Sequence, residues 1–196
     1  MYRKLTRFMI FAGAAALMLS ACASVNPAGL LAARSLDPLN TPPSQISVAV
    51  GVPNTVRLAD GDAVLSIAFR EEGVLVVDQS VPLQLRAAGG GRPAPYAEDE
   101  VVYLAQFSER DAARFASAQA QIKALKDQGR GGTGSLSASL AGGCLLVPGL
   151  EALPFSTWLR TDPDGAFVPL TKRVDLFEVL DDREAEDLKA QLGPCG

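Results

Sequence analysis

Side chains that could carry acid–base or nucleophilic chemistry are restricted in this 196-residue chain, because it contains no histidine. Histidine is the most frequent general base and the most frequent neutral metal ligand, so Ser–His and Cys–His triads are excluded. Two carboxylates can still perform hydrolysis when they flank a glycosidic bond. The acids in or beside predicted turns are Asp60, Asp62, Asp99, Asp162 and Asp164. A small hydrolase with paired carboxylates is therefore one alternative function, although no single residue is identified as catalytic.

An acidic run formed by Glu98, Asp99 and Glu100 precedes a predicted strand. Adjacent residues on a strand point to opposite faces, so these three carboxylates cannot all surround one ion. The sequence shows no partner ligand for them. We therefore expect a solvated start of a strand, and we predict no metal site and no cofactor.

A glycine pattern at Gly129, Gly131 and Gly134 fits the spacing G-x-G-x-x-G. In dinucleotide-binding proteins a strand precedes these glycines, and the helix that follows binds the pyrophosphate at its N-terminus. Here a predicted helix precedes them, and residues 136–140 alternate like a strand. The pattern therefore indicates a helix-to-strand connection and not a nucleotide site.

Aromatic side chains offer a possible ligand platform. Trp158 is the only tryptophan and lies in a predicted strand. Packing in the core or on a sheet face is its first interpretation. An exposed indole beside Tyr103 or Tyr96 would instead bind a small molecule or a glycan, whereas a fully covered indole would argue against that function.

The start of the chain has the three parts of a secretory signal. Three cations, Arg3, Lys4 and Arg7, precede an apolar run over residues 8–19, and small residues follow it. Twelve residues are too few to span a bilayer comfortably, whereas this arrangement is typical of a cleaved export signal. The pattern predicts that residues 1–21 are removed.

The end of this leader, Leu19-Ser20-Ala21-Cys22, resembles the lipobox of bacterial lipoproteins. The resemblance implies that Cys22 is acylated, becomes the first residue of the mature chain and holds the protein to membrane lipid. In such lipoproteins an aspartate after the cysteine commonly marks retention at the inner membrane. Ala23 and Ser24 stand here instead, so the resemblance favours the outer membrane, with the protein facing the periplasm.

Removal of the leader leaves 175 of the 196 residues, which is the size of one domain with a tether. It also lowers the number of basic residues from 18 to 15 against 22 acidic ones, so the net charge becomes about −7. An acidic chain does not neutralise phosphates, and nucleic acid is therefore not an expected partner.

The remaining cysteines are Cys144 and Cys195. A pair of cysteines in an exported protein indicates a disulfide, and closing a loop of about 52 residues would contribute roughly 4 kcal/mol. A redox pair is the first alternative, although it would favour closer spacing such as Cys-x-x-Cys. Two free thiols are the second alternative.

The mature chain divides into a proline-rich tether over residues 22–45 and one globular domain over residues 46–196. Apolar alternation predicts strands in an antiparallel meander, followed by further strands and a hairpin. The predicted strands are residues 46–52, 56–58, 64–70, 74–77, 81–85, 101–107, 136–140, 155–161, 166–170 and 174–180. Residues 87–97 should form an irregular surface loop.

Two helices complete the prediction. Ser108 and Asp111 have the spacing of an N-terminal cap for a long amphipathic helix that ends before Gly129. A shorter helix should cover residues 181–192. The predicted fold class is α+β, a mainly antiparallel sheet in a meander or sandwich with one major helix packed on it.

These observations favour a lipoprotein with a binding or structural role in the cell envelope, acting on a protein partner that the sequence does not name. The paired-carboxylate hydrolase and the aromatic binding module remain the alternatives.

Overall fold

The computed structural model of the protein describes residues 36–86 and 90–196. The predicted leader, Cys22 and the first part of the tether lie outside the described residues. The fold is α+β with mostly antiparallel sheets, one major helix and a short C-terminal helix, as predicted.

The described residues contain eleven strands and three α-helices. In chain order, β1 to β11 are Ser47–Pro53, Val56–Arg57, Ala63–Glu71, Val74–Pro82, Gln84–Arg86, Glu100–Gln106, Thr133–Leu140, Gly143–Leu145, Pro154–Arg160, Val168–Asp175 and Leu192–Pro194. The helices α1, α2 and α3 are Glu109–Asp127, Leu176–Val179 and Asp182–Gln191.

The strands form three sheets rather than one meander. A central sheet has the order β10-β9-β1-β6-β5, a helix-covered sheet has the order β4-β3-β7, and a C-terminal sheet has the order β11-β8-β2. Consecutive strands pair in the hairpins β3–β4 and β9–β10, which local turns predict well. Strand β5 also pairs with β6, although 13 residues separate them in the sequence. However, β1 pairs with β6 and β9, which follow much later in the chain.

One hydrophobic core fills the space between the central sheet, the helix-covered sheet and α1. Val50 of β1, Phe69 of β3 and Phe115 of α1 are fully buried in it. The helix begins as predicted, because the Ser108 side chain accepts a hydrogen bond from the Asp111 N–H. Helix α1 therefore packs its apolar face on its own domain's sheet.

The central strand β1 differs from its prediction. Alternating Val and small residues indicated a half-buried strand, but all seven residues of β1 are buried. Its second face, which includes Ala49, packs in a separate cluster with Val102 and Trp158. The small residues of β1, such as Ala49, therefore do not face solvent. They leave room for larger side chains, such as Trp158, that cover this face of the sheet.

The predicted strand over residues 174–180 is wrong beyond Asp175. The Asp175 carboxylate accepts hydrogen bonds from the N–H groups of Leu153 and Phe177. The bond from Phe177 caps the start of helix α2. A side chain that satisfies the first free N–H groups of a helix favours helical over extended backbone.

Part of the expected tether belongs to the packed unit. Leu36 and Leu39 contact the core, and the Gln119 side-chain amide of α1 donates hydrogen bonds to the carbonyls of Pro38 and Thr41. The folded unit therefore begins before residue 46.

Candidate binding surfaces

The carboxylates of four of the five acids considered for hydrolysis, Asp60, Asp62, Asp99 and Asp162, are engaged in hydrogen bonds or an ion pair. Asp60 and Asp62 accept hydrogen bonds from backbone N–H groups at 2.6 and 2.7 Å. Asp162 accepts one from the Asp164 N–H at 3.0 Å in the turn between β9 and β10. Within the described ranges, no cluster of three or more Cys, Asp or Glu side chains is placed to hold a metal. Asp62 and Asp162 stabilise the backbone of their own turns, as such residues commonly do, whereas Asp60 binds the backbone of β5, 25 residues later.

Glu100 is not a solvated strand start, because only 6% of its surface is exposed. Its carboxylate accepts hydrogen bonds from the Tyr96 N–H at 2.5 Å and from the Ser156 hydroxyl at 2.6 Å. It also lies directly over Gly51, where an added Cβ would come within 2.6 Å of Oε1. Glu100 therefore ties the segment before β6 to the outer face of the central sheet.

Strand β10 brings two cations to the same place through irregular pairing with β9. Arg173 has a positive φ of 46°, and its N–H donates to the Ser156 hydroxyl at 3.0 Å. The Arg173 guanidinium forms two hydrogen bonds with Asp99, at 3.0 and 3.2 Å. Next to it, Lys172 Nζ lies 4.9 Å from the centre of the Tyr96 ring. A bulge that redirects side chains in this way holds the segment around Tyr96 on the sheet.

The proposed aromatic platform is placed differently from the expectation. Trp158 is 3% exposed, and the Tyr96 ring stacks on it with centroids 5.0 Å apart. Tyr103 is also buried, but it faces the main core, where its hydroxyl accepts a hydrogen bond from the Leu58 N–H. Trp158 and Tyr103 therefore lie on opposite faces of the central sheet and share no surface. Burial raises the pKa of the Tyr96 phenol above its ordinary value, and the Trp158 N–H partly opposes this.

A second surface lies beside the disulfide. Cys144 and Cys195 are joined with an S–S distance of 2.03 Å, as predicted. Beside this bond a groove of about 390 Å³ opens to solvent. Its lining, which we call the disulfide groove, is Leu145, Leu146, Val147, Pro148, Gly149, Leu192, Pro194 and Cys195. A neighbouring cavity of about 200 Å³ shares Leu145 and Leu192 with the groove.

The groove wall is apolar, exposed and fixed in position. Leu146 and Val147 are 53% and 47% exposed. The Leu146 N–H donates to the Thr55 carbonyl at 2.8 Å, and the Cys195 N–H donates to the Leu145 carbonyl at 2.9 Å. A fixed apolar wall loses little conformational entropy when a ligand binds to it.

The helices that precede the C-terminal strand are rich in acids, and Lys189 of α3 lines the cavity next to the groove. The segment of α2 and α3 packs on the C-terminal strand through Leu188 and Leu192. Seven acids on or beside these helices outnumber two cations, Arg183 and Lys189. The acids are Asp175, Glu178, Asp181, Asp182, Glu184, Glu186 and Asp187.

A second exposed apolar surface lies at the start of β4. Val74, Leu75 and Val76 are 66%, 41% and 39% exposed, and we call these three residues the apolar tip. Sequence reasoning missed both exposed apolar surfaces, because apolar residues of a predicted strand such as 74–77 are ordinarily assigned to the core and Leu146 and Val147 were assigned to no element. The nearby Glu71-Glu72-Gly73 and Pro148-Gly149 turns were the available signals that these residues lie at the periphery.

Comparisons with protein-family models, with curated proteins and with solved structures find no match to this chain. In the described part of the chain, no helix is both long and apolar enough to cross a membrane.

Proposed function

We propose that this protein is a lipoprotein of the bacterial cell envelope, anchored through acylated Cys22, whose domain binds a partner protein in the disulfide groove. Ala23 and Ser24 favour the outer membrane, with the domain in the periplasm. The observation that carries the binding role is the fixed apolar wall of Leu146 and Val147 around a cavity of about 390 Å³. Ligand-binding cavities commonly have volumes of about 300–1,000 Å³.

The anchor is supported by the lipobox and by the disulfide. Disulfides persist in exported proteins and are rare in reducing compartments. The bond between Cys144 and Cys195 therefore agrees with a domain outside the cytoplasm. Acyl chains contribute about 0.8 kcal/mol for each buried methylene, so several chains on Cys22 suffice for durable attachment.

The chemistry of the groove defines the partner. Leu146 and Val147 favour aliphatic side chains, and the net negative charge of the mature chain favours Lys or Arg on the partner. We therefore expect the partner to present a short aliphatic segment with basic flanks. Trp158 is 3% exposed, with the Tyr96 ring stacked on its indole, which argues against the aromatic binding module.

The anchor is tested with Cys22→Ala. Mass spectrometry of the wild-type protein should show a diacylglycerol adduct on Cys22, and the protein should sediment with membranes. The variant should lose both properties and keep the melting temperature of the domain. A Cys22→Ala protein that still sediments with membranes, after a carbonate wash, would contradict the proposal.

The groove is tested with a synthetic probe, a fluorescent octapeptide of Leu and Val with a Lys at each end. Val147→Asn should weaken binding about fivefold, because about 1 kcal/mol of apolar burial is lost. Ser137→Asn is the matched control, since Ser137 is exposed on the helix-covered sheet. The same peptide with Glu at both ends should bind more weakly. Equal affinities for the two variants would exclude the disulfide groove as the binding site.

A further inference from the structure

The apolar tip projects beyond the core. Successive strand residues point to opposite faces, so exposure of Val74, Leu75 and Val76 together means that neither face is covered there. The pairing shifts at this point, since Leu75 pairs with Arg70 whereas Val77 pairs with Phe69. Val76 is the extra residue of this bulge.

The tip is nevertheless held in position. Arg130 follows α1 in the chain, and its guanidinium forms an ion pair with Glu71 at the end of β3. This pairing holds the pKa of the Glu71 carboxyl below its usual value. Glu72 and Gly73 then turn the chain with positive φ angles of 49° and 83°. The three apolar side chains are thus displayed by a supported hairpin.

The chain also meets the fold on this half of the domain. Leu39 lines a cleft of about 170 Å³ together with Ala68 of β3, Gly134 of β7 and Lys126 in the last turn of α1. Ala68 precedes Glu71 by three residues, a distance of about 10 Å along a strand. The tether therefore meets the half of the domain that carries the tip.

The disulfide groove lies at the opposite end. Ala63, the first residue of β3, pairs with Leu140, and five residues later the chain reaches Leu145 in the groove. The eight residue steps of β3 separate the two ends by roughly 26 Å.

We propose that the apolar tip inserts into the headgroup region of the phospholipid bilayer that holds the acylated Cys22. This inference rests on the proposed anchor. Fourteen residue steps separate Cys22 from Leu36, which is at most about 50 Å of extended chain. The anchored chain meets the domain on the half that carries the tip, and three exposed aliphatic residues stand there. Insertion there orients the disulfide groove away from the membrane.

The test uses the purified acylated protein in phosphatidylcholine vesicles, with a nitrobenzoxadiazole label on an introduced cysteine. Leu75→Cys carries the label at the tip, and Val147→Cys is the matched control, since Val147 is a similarly exposed aliphatic residue at the other end. Nitroxide-labelled lipid should quench the Leu75→Cys label at least twofold more than the Val147→Cys label. Aqueous iodide should quench it at least twofold less.

A second variant keeps the test independent of the label. Val74→Asp with Val76→Asp should reduce lipid quenching of the Leu75→Cys label to the level of the control, while flotation with vesicles and the melting temperature stay unchanged. Equal lipid quenching at the two labelled positions in floating protein would overturn insertion and leave the anchor intact. Protein that does not float would overturn the anchor and insertion together. A tip label shielded from iodide but not quenched by lipid would show a protein contact, such as a second copy, and would also overturn insertion.

Discussion

Removal of the disulfide tests how the C-terminal end of the domain is held. The paired substitution Cys144→Ala with Cys195→Ala opens a covalent loop with a sequence separation of 51 residues. On the chain-entropy estimate, a loop of this size contributes about 4 kcal/mol to the free energy of unfolding. The bond joins β8 to the residue after β11, and β11 pairs with β8 through only three residues.

The loss is large relative to the whole stability of a domain, which is typically about 5–15 kcal/mol. For a domain of this size, 1 kcal/mol changes the melting temperature by about 2–4 °C, so we expect a decrease of about 8–16 °C. The helix α3 and strand β11 should also exchange amide hydrogens faster, because their attachment then depends on Leu188, Leu192 and the short parallel pairing.

The assay is urea unfolding followed by circular dichroism, on oxidised wild type, on wild type reduced with dithiothreitol and on the double variant. The reduced wild type is the control, and its unfolding free energy should match that of the variant. A variant within 1 kcal/mol of oxidised wild type would refute the reasoning, because the bond would then contribute little beyond the packing of β11.

Two further predictions concern the outer face of the central sheet. Gly51→Ala should lower the free energy of unfolding by about 1–3 kcal/mol, because the added Cβ would lie 2.6 Å from the Glu100 carboxylate. Urea unfolding measures this change. Gly193→Ala is the control and should have a clearly smaller effect, because a Cβ added there has no atom within 4 Å. The raised pKa of Tyr96 means that the folded state favours the protonated phenol over the phenolate. The stability that this preference contributes is complete at pH values below the ordinary pKa of 10.0 and is lost as the pH rises through the pKa of the folded state. An absorbance titration at 295 nm should show a change above pH 10.0 that is lost in Tyr96→Phe. An unchanged titration above pH 10.0 in Tyr96→Phe would contradict the assignment.

Local elements were predictable because their signals lie within a few residues. Ser108 caps α1 through the Asp111 N–H, and the Asp181 and Glu184 side chains form a capping box at the start of α3. The hairpin of β9 and β10 follows the Asp-Pro-Asp-Gly turn as expected. Each of these depends on the chemistry of one short segment.

The environment of Glu100 was not predictable, because its partners come from distant segments. Ser156 lies 56 residues away in the sequence, and the room for the carboxylate is provided by Gly51. Without knowledge that β1 lies between β6 and β9, an acid before a strand is reasonably assigned to solvent. The coverage of Trp158 by Tyr96 has the same origin.

By itself the sequence determined the kinds of element, the fold class and the two cysteines available for a bond, because hydrophobic period, capping residues and residue types are local properties. The lipobox resemblance likewise depends on four adjacent residues. Only the tertiary structure decided which strands are neighbours, which apolar side chains stay exposed at the tip and the groove, and which acid is buried. Those outcomes depend on non-local strand pairing, and alternation specifies the two faces of a strand without specifying what covers either face.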